Sequence, residues 1–228
     1  YIRSILKNGE YHIDGEKKLT ERNATIVYSG GDDVFIVGAW NEVIELSIDL
    51  QEKFKKYTQG TLSISSGIGI YECTYPIGAI ANETGEMEAE SKRMPEKDSV
   101  TLMDDGETHL INELEICDGT YRWEELYKSV LGEKYDVIQD FLGESDERGM
   151  SFLYRMLELI RNQKEKINFA RFVYLLSRLE PDKEGEKKEK YRKFSRKMYQ
   201  WVQSEKDCRE LKTAINLYAY MHREKGAH

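Results

Sequence analysis

Ser29-Gly30-Gly31-Asp32-Asp33 is the run whose residue types and order bear most directly on chemistry. Adjacent aspartates on a tight strand turn offer hard carboxylate oxygens to cations such as Mg²⁺ or Mn²⁺ and leave coordination positions for phosphate oxygens. Glycines just before them remove the Cβ atoms that would hold the backbone away from a triphosphate. Two such cations stabilise the attacking and leaving oxygens when a hydroxyl displaces at an α-phosphate. The bland alternative is a polar turn, since Gly and Asp are ordinary turn residues. A given Gly-Gly-Asp-Asp run arises by chance in roughly one chain in a few hundred of this length, and apolar strands on both sides make coincidence rarer. Asp32 and Asp33 are therefore assigned as the metal-binding, catalytic pair, with Ser29, Gly30 and Gly31 on the nucleotide side.

The flanking segments must position that turn. Ala24 to Tyr28 and Val34 to Val37 are short apolar runs around the motif, a hairpin signal. Asn41 as cap predicts a helix to about Tyr57, with Val43, Ile44, Leu46, Ile48, Leu50 and Phe54 as its apolar stripe and Gly60 as its stop. Leu62 to Tyr71 alternates: Leu62, Ile64, Ser66, Ile68 and Ile70 share one face, and Ser63, Ser65, Gly67 and Gly69 leave the other almost bare. Something packs close against that bare face. Pro76 opens a second helix to about Arg93, and Lys97 to Leu102 resembles a strand. Tyr1 to Gly9 reads like the last turns of a helix closed by a glycine cap. The order helix, strand, strand, helix, strand is the tail of a ferredoxin-like βαββαβ unit, so the chain is expected to be a piece of a longer polypeptide. Its missing first strand would pair with Val34 to Val37, which otherwise presents an apolar edge.

β-branched residues and glycines dominate to about Thr101, and helical spacing dominates after about Trp123. Leu153, Met156, Leu157 and Ile160 form one stripe; Phe169, Phe172, Val173, Leu176 and Leu179 a second; Leu211, Ala214, Ile215 and Tyr218 a third. The expected fold is α+β: a palm over 1–131 that lacks its first strand, then an α-helical bundle over 132–228. Asp182 to Lys197 carries eight Lys or Arg residues, either a solvated helix face or an RNA or partner contact.

The 228 residues are 39% hydrophobic and 33% charged, which suits a folded chain, and the formal net charge of −8 excludes a general nucleic-acid-coating surface while leaving local basic patches open. Cys73, Cys117 and Cys208 form no CxxC pair and have no histidine at ligand spacing, so neither a disulfide framework nor a zinc site is indicated and a reducing cytoplasm fits. His12, His109, His222 and His228 show no partner spacing. No apolar run approaches a membrane span.

Ile26-Val27-Tyr28-Ser29-Gly30-Gly31-Asp32-Asp33-Val34-Phe35-Ile36-Val37-Gly38, followed by Leu62-Ser63-Ile64-Ser65-Ser66-Gly67-Ile68, resembles the second palm of the large signature subunit of type III-A CRISPR effector complexes. Trp123-Glu124-Glu125-Leu126 after Lys97-Asp98-Ser99-Val100-Thr101-Leu102, and Leu211-Lys212-Thr213-Ala214, look like that subunit's closing segments, so the resemblance covers nearly the whole chain. It implies an enzyme that, when its complex binds target RNA, polymerises ATP into cyclic oligoadenylates with two Mg²⁺ or Mn²⁺ ions. Carried over by position, Asp32 and Asp33 match the metal pair and Gly30 and Gly31 the phosphate-facing glycines, with Ser29 beside them, while Ser63, Ser65 and Gly67 either line the nucleotide pocket or form a small-residue strand face that admits a packed helix. Lys92 and Lys97 either reach phosphates, as a lysine of this region does in related cyclase palms, or are solvated. The implied partners are other subunits of the complex, guide and target RNA, and the upstream part of the same polypeptide.

The family's further metal-binding aspartate, first palm and histidine-aspartate nuclease domain would lie upstream. Glu10 to Asn23 and Asp104 to Thr120 match no role. Two other functions compete: a catalytically silent scaffold that docks CRISPR subunits and guide RNA, and a diguanylate-type cyclase. The cyclases carry an acidic-acidic-Phe sequence after the glycines, whereas Val34-Phe35 follows here.

Overall fold

Strand-type residues give way to helix-type residues near position 123, and the chain divides there into two compact units, Tyr1–Leu126 and Tyr127–His228. The structure is a computed structural model that describes residues 2–13, 21–104, 106–143, 147–161 and 166–223. His228 and the middle of the Glu10 to Asn23 insertion lie outside the described residues.

In the first unit α1 (Ile2–Lys7) leads to the hairpin β1 (Ala24–Gly30) and β2 (Asp33–Gly38), then α2 (Trp40–Tyr57), β3 (Ser66–Ile68), α3 (Ile77–Ser91) and β4 (Ser99–Leu102). A second hairpin, β5 (Thr108–Ile111) with β6 (Leu114–Cys117), and the short strand β7 (Thr120–Arg122) complete it. The strands form three small sheets, in the orders β1-β2, β3-β4-β7 and β5-β6. β3 pairs parallel with β4, and β7 antiparallel with it. The single ferredoxin-like sheet expected from the element order is therefore not present among the described residues: β2 and β3 each keep one edge that no described strand pairs.

Every residue of β4 is buried, and its polar side chains are satisfied inside the unit. The Ser99 hydroxyl donates to Ser91 O at 2.6 Å, and the Thr101 and Thr120 hydroxyls share a hydrogen bond of 2.9 Å. α3 covers this sheet. It comes close because Gly67 has no side chain: a Cβ there would lie 2.2 Å from Thr84 O and 2.6 Å from Glu88 N. The bare strand face thus serves close helix packing at Gly67.

Several local expectations need correction. The regular strand spans Ser66–Ile68 rather than Leu62 to Tyr71, and Leu62 is 60% exposed. α2 begins at Trp40 with Ala39 as its N-cap and no side-chain cap, so Asn41 lies inside the helix. Gly60 does close α2, with φ +74° and its N–H bonded to Lys55 O at 2.9 Å. Gly9 is not a left-handed cap; a Cβ there would lie 2.3 Å from the buried Arg22 guanidinium. Beside its apolar stripe, α2 buries Glu45 and Asp49. Asp49 accepts hydrogen bonds from the backbone N–H groups of Glu10 and Tyr11 and pairs with Arg22 at 2.6 Å, while Glu45 accepts one from Ile13 N–H. These carboxylates tie both ends of the first insertion to α2.

In the second unit a π-helical segment (Leu126–Tyr135) follows α4 (Trp123–Glu125) in the chain and leads into α5 (Asp136–Leu142), α6 (Glu147–Arg161), α7 (Lys166–Ser177), α8 (Glu186–Trp201) and α9 (Glu205–Arg223). The three apolar stripes meet here, with Leu153, Met156, Phe172, Leu211 and Ile215 buried. Lys134 is buried in this unit with Asp207 at 2.8 Å, Glu133 at 3.3 Å and Glu210 around its ammonium and the Trp201 ring 5.2 Å away. Burial works against that charge, but the hydrogen bonds the ammonium donates to Asp207 and Glu210 outweigh it and hold the pKa above its ordinary value. No described helix is long and apolar enough to cross a membrane.

The packing at Gly67 yields a pair of substitutions of opposite sign. Gly67→Ala should lower unfolding stability in urea by about 1–3 kcal/mol, because strand and helix must separate. Gly85→Ala, on the open side of α3 where a Cβ meets nothing within 4 Å, should raise it by about 0.5–1 kcal/mol. Equal effects at the two positions would contradict the close approach.

Candidate active site

The Gly-Gly-Asp-Asp motif forms the turn of the first hairpin. Gly30 opposes Asp33 in the last β1–β2 pair, so Gly31 and Asp32 are the two turn residues. Gly31 has φ +65° and Asp32 does not share a positive φ, the pattern of a type II′ turn, which calls for glycine at its first position. Asp33 is then the first residue of β2, and both aspartates are exposed.

Neither carboxylate forms a hydrogen bond or a close ion pair with a described residue, so their oxygens are uncommitted. This suits a hard divalent cation that also binds phosphate oxygens. Among the described residues no group of three or more His, Cys, Asp or Glu side chains is placed to hold a metal ion.

The two glycines differ. A Cβ at Gly31 would meet nothing within 4 Å, so this peptide is open to an approaching ligand. At Gly30 the equivalent space is occupied: a Cβ would lie 2.5 Å from the Tyr28 hydroxyl. Tyr28 takes this position just after a β-bulge, where the register shifts between Ile26 and Tyr28 and Tyr28 comes to face Phe35. Tyr28 was not among the sequence candidates, because a bulge at Val27 leaves no mark in an apolar run.

Lys92, just past the end of α3, is brought into the field of the pair. Its ammonium lies 2.7 Å from Glu88 Oε1. That hydrogen bond is the main cause that holds the Lys92 pKa above its ordinary value, with further support from the charges of Asp33 and Asp32. Glu88 is the carboxylate that orients Lys92, a role legible only as an i, i+4 pair on a helix.

The other candidates are placed differently. Ser29 is exposed in β1 opposite Val34, and Ser63 is exposed before β3. The Ser65 hydroxyl is buried and has no hydrogen-bond partner. Lys97 is not in a strand: with Glu96 and Asp98 it forms a left-handed run at φ +71°, +58° and +40°. Its side chain is exposed and makes no hydrogen bond or ion pair with described residues, while Asp98 anchors the run to Gln51 at 3.0 Å and Lys55 at 3.5 Å.

A cluster the sequence reading missed follows β3. The rings of Tyr71 and Tyr75 stack at 5.2 Å, and the Tyr75 hydroxyl donates to Glu83 of α3. Burial and then the Glu83 carboxylate push Tyr71 up to about 12. In the β5–β6 hairpin, His109 lies 3.2 Å from Asp118, a partner that sequence spacing did not reveal.

Comparison with known proteins finds two family models on this chain. "Cas10/Cmr2, second palm domain" matches residues 3–101, and "CRISPR RNA silencing complex Cmr2 subunit, second helical domain" matches residues 139–224. A curated relative from Mycobacterium tuberculosis is 40% identical over 213 residues, covering 93% of this chain and 25% of the relative. The chain belongs to the Cas10/Csm1 family of type III-A CRISPR systems. A relative from Streptococcus thermophilus is 34% identical over 88% of this chain and 25% of its own length. Both are named as the single-strand-specific deoxyribonuclease Cas10/Csm1, and this chain spans about a quarter of their length. Among solved structures, Csm1 of T. onnurineus superposes with a TM-score of 0.66 at 22% identity, over 87% of this chain and 28% of Csm1. A Csm1–Csm4 subcomplex gives 0.63 at 25% identity over 94% and 30%, and a Csm1–Csm4 cassette with one ATP gives 0.56 at 24% identity over 86% and 27%.

The field at Lys92 can be tested without turnover. In a Cas10 chain with Asp32→Asn and Asp33→Asn, the Lys92 pKa followed by NMR should fall toward the ordinary lysine value, and Glu88→Gln should lower it further. A Lys92 titration unchanged by the double substitution would remove this lysine from the site.

Proposed function

We propose that the Gly31-Asp32 turn is the metal-binding end of a nucleotidyltransferase palm, which polymerises ATP into cyclic oligoadenylate when its type III-A complex binds target RNA. The observation that carries this reading is the pair of exposed, uncommitted carboxylates on a type II′ turn, with an open glycine peptide on one side and Lys92 in their field.

In this reading Asp32 and Asp33 hold Mg²⁺ or Mn²⁺, and the bound ions supply charge stabilisation at the α-phosphate. Gly31 leaves room for the triphosphate, with Ser29 beside it. Lys92, oriented by Glu88, offers a cation to phosphate oxygens that are not metal-bound. Ser65, whose hydroxyl is buried without a partner among the described residues, and Lys97, whose side chain pairs with no described residue, remain nucleotide-side candidates. A Csm1–Csm4 relative solved with ATP supports a nucleotide substrate.

The unpaired edges of β2 and β3 support a ferredoxin-like palm over 1–131 that is completed from elsewhere. A strand inserted between them would join the first hairpin and the β3-β4-β7 sheet into one sheet and satisfy both edges. The much longer relatives make an upstream segment of the same polypeptide the proposed source, and that segment would carry the remaining metal-binding carboxylate. The helical part, 132–228, would dock a Csm4-like or other subunit of the complex, with guide and target RNA held by the assembly in the cytoplasm.

The test is Asp32→Ala with Asp33→Ala in the full-length subunit within its complex. Oligoadenylate formation from ATP with Mn²⁺ and target RNA should fall to background, while complex assembly and thermal stability are retained, because repelling turn carboxylates contribute little to folding. Loss of assembly would favour the scaffold reading, and conversion of GTP in preference to ATP would favour a diguanylate-type cyclase.

A further inference from the structure

The basic run from Asp182 to Lys197 carries eight basic and four acidic residues in a chain of net charge −8. The structure sorts these charges. Lys188 pairs with Glu184 at 3.0 Å and Glu180 at 3.5 Å, Lys190 and Lys193 pair with Asp140, and Lys197 pairs with Glu133 at 2.7 Å. Lys190, Lys193 and Lys197 thereby lean toward α5 and the π-helical segment. Arg196 forms no ion pair with a described residue. Arg192 has one, an exposed contact of 3.0 Å with Glu184, of a kind that yields readily to a better anion.

Both arginines border a groove of about 400 Å³ between α7 and α8. Its floor is closed by Tyr191, which is buried and donates its hydroxyl to Leu176 O at 3.1 Å. Ser177 and Ser195 add hydroxyls to the rim. Tyr199, 46% exposed, stands at one end with its ring braced against Phe169 at 5.7 Å. On α7, one turn before Ser177, Tyr174 is 64% exposed.

We propose that this α7–α8 groove binds single-stranded RNA. Planar guanidinium forks and hydroxyl donors match phosphate oxygens, and exposed tyrosine faces beside them accept unstacked bases. An acidic protein segment would use the arginines but has no need of the aromatic faces, which is why RNA is the better match. The volume suits one nucleotide at a time rather than a duplex. Arg192 and Arg196 contact phosphate, Ser177 and Ser195 hydrogen-bond the backbone, and Tyr199 forms the stacking surface. The site lies wholly within the second unit and does not depend on the metal-site reading.

The experiment uses the full-length polypeptide and a fluorescein-labelled oligouridylate bearing 4-thiouridine. Crosslinks mapped by mass spectrometry should fall on α7 and α8. Arg192→Glu with Arg196→Glu should weaken binding by about ten-fold or more and flatten the log–log salt dependence by about 1.4, the loss of two phosphate contacts. Arg196→Gln, which only removes a charge, should give about half that slope change. Tyr199→Ala should weaken binding at least about five-fold, and Tyr199→Phe should restore it. Crosslinks confined to other regions, or an unchanged salt slope in the double variant, would overturn the proposal. So would binding of a polyglutamate peptide as tight as that of the RNA and indifferent to Tyr199→Ala, which would assign the groove to an acidic protein partner.

Discussion

The close approach of α3 to β3 at Gly67 orders most of what surrounds the hairpin turn. Thr84 O and Glu88 N occupy the space a side chain would fill, so the helix sits nearly in backbone contact with the strand. Glu88 belongs to that contact through its main chain, and its carboxylate holds Lys92 at 2.7 Å. Lys92 in turn lies in the field of Asp32 and Asp33. A missing methyl on a three-residue strand is thus linked through one helix to the charge beside the turn. Displacing α3 by the breadth of a Cβ would move that charge.

The hairpin turn follows a different logic, in which two carboxylates have no partner among the described residues. Several charged groups elsewhere in the first unit are paired: Arg22 with Asp49, Lys55 with Asp98, Arg93 with Glu90. Asp32 and Asp33 are adjacent, exposed and uncommitted, an arrangement that gains nothing for folding and is favourable only with a cation present. The edges of β2 and β3 that no described strand pairs are a second unsatisfied feature in the same unit. The second unit repeats the contrast, with Lys134 enclosed by three carboxylates while Arg196, at a groove rim, pairs with no described residue.

Features that depend on a few neighbouring residues were legible in the sequence. The two-residue turn, the Gly60 stop and the three helical stripes each follow from local backbone preference or 3.6-residue spacing. Features set by distant partners were not. Gly9 looks like a helix cap, yet its missing side chain accommodates Arg22. Asn41 has good capping chemistry, but the helix starts one residue earlier. Glu45 and Asp49 look like the wet side of α2 until the N–H groups of residues 10, 11 and 13 are brought to them. Gly67 presented a two-way choice that only the position of α3 resolves. The place of the aspartates and Gly31 at the hairpin turn was readable from type and order, whereas that of Tyr28 depended on a bulge and the separation of Lys92 from Lys97 on a left-handed run after α3.

The most direct test of the metal-site account is a structure of the full-length Cas10 subunit, in its complex with target RNA, grown with Mn²⁺ and a non-reactive ATP analogue. Anomalous scattering locates Mn²⁺ independently of how the protein is built. The account predicts peaks at about 2.1 Å from carboxylate oxygens of Asp32 and Asp33, shared with the triphosphate, with the phosphates against the Gly31 peptide. An ordered nucleotide with no Mn²⁺ at either aspartate, or Mn²⁺ and triphosphate bound away from this hairpin, would contradict it.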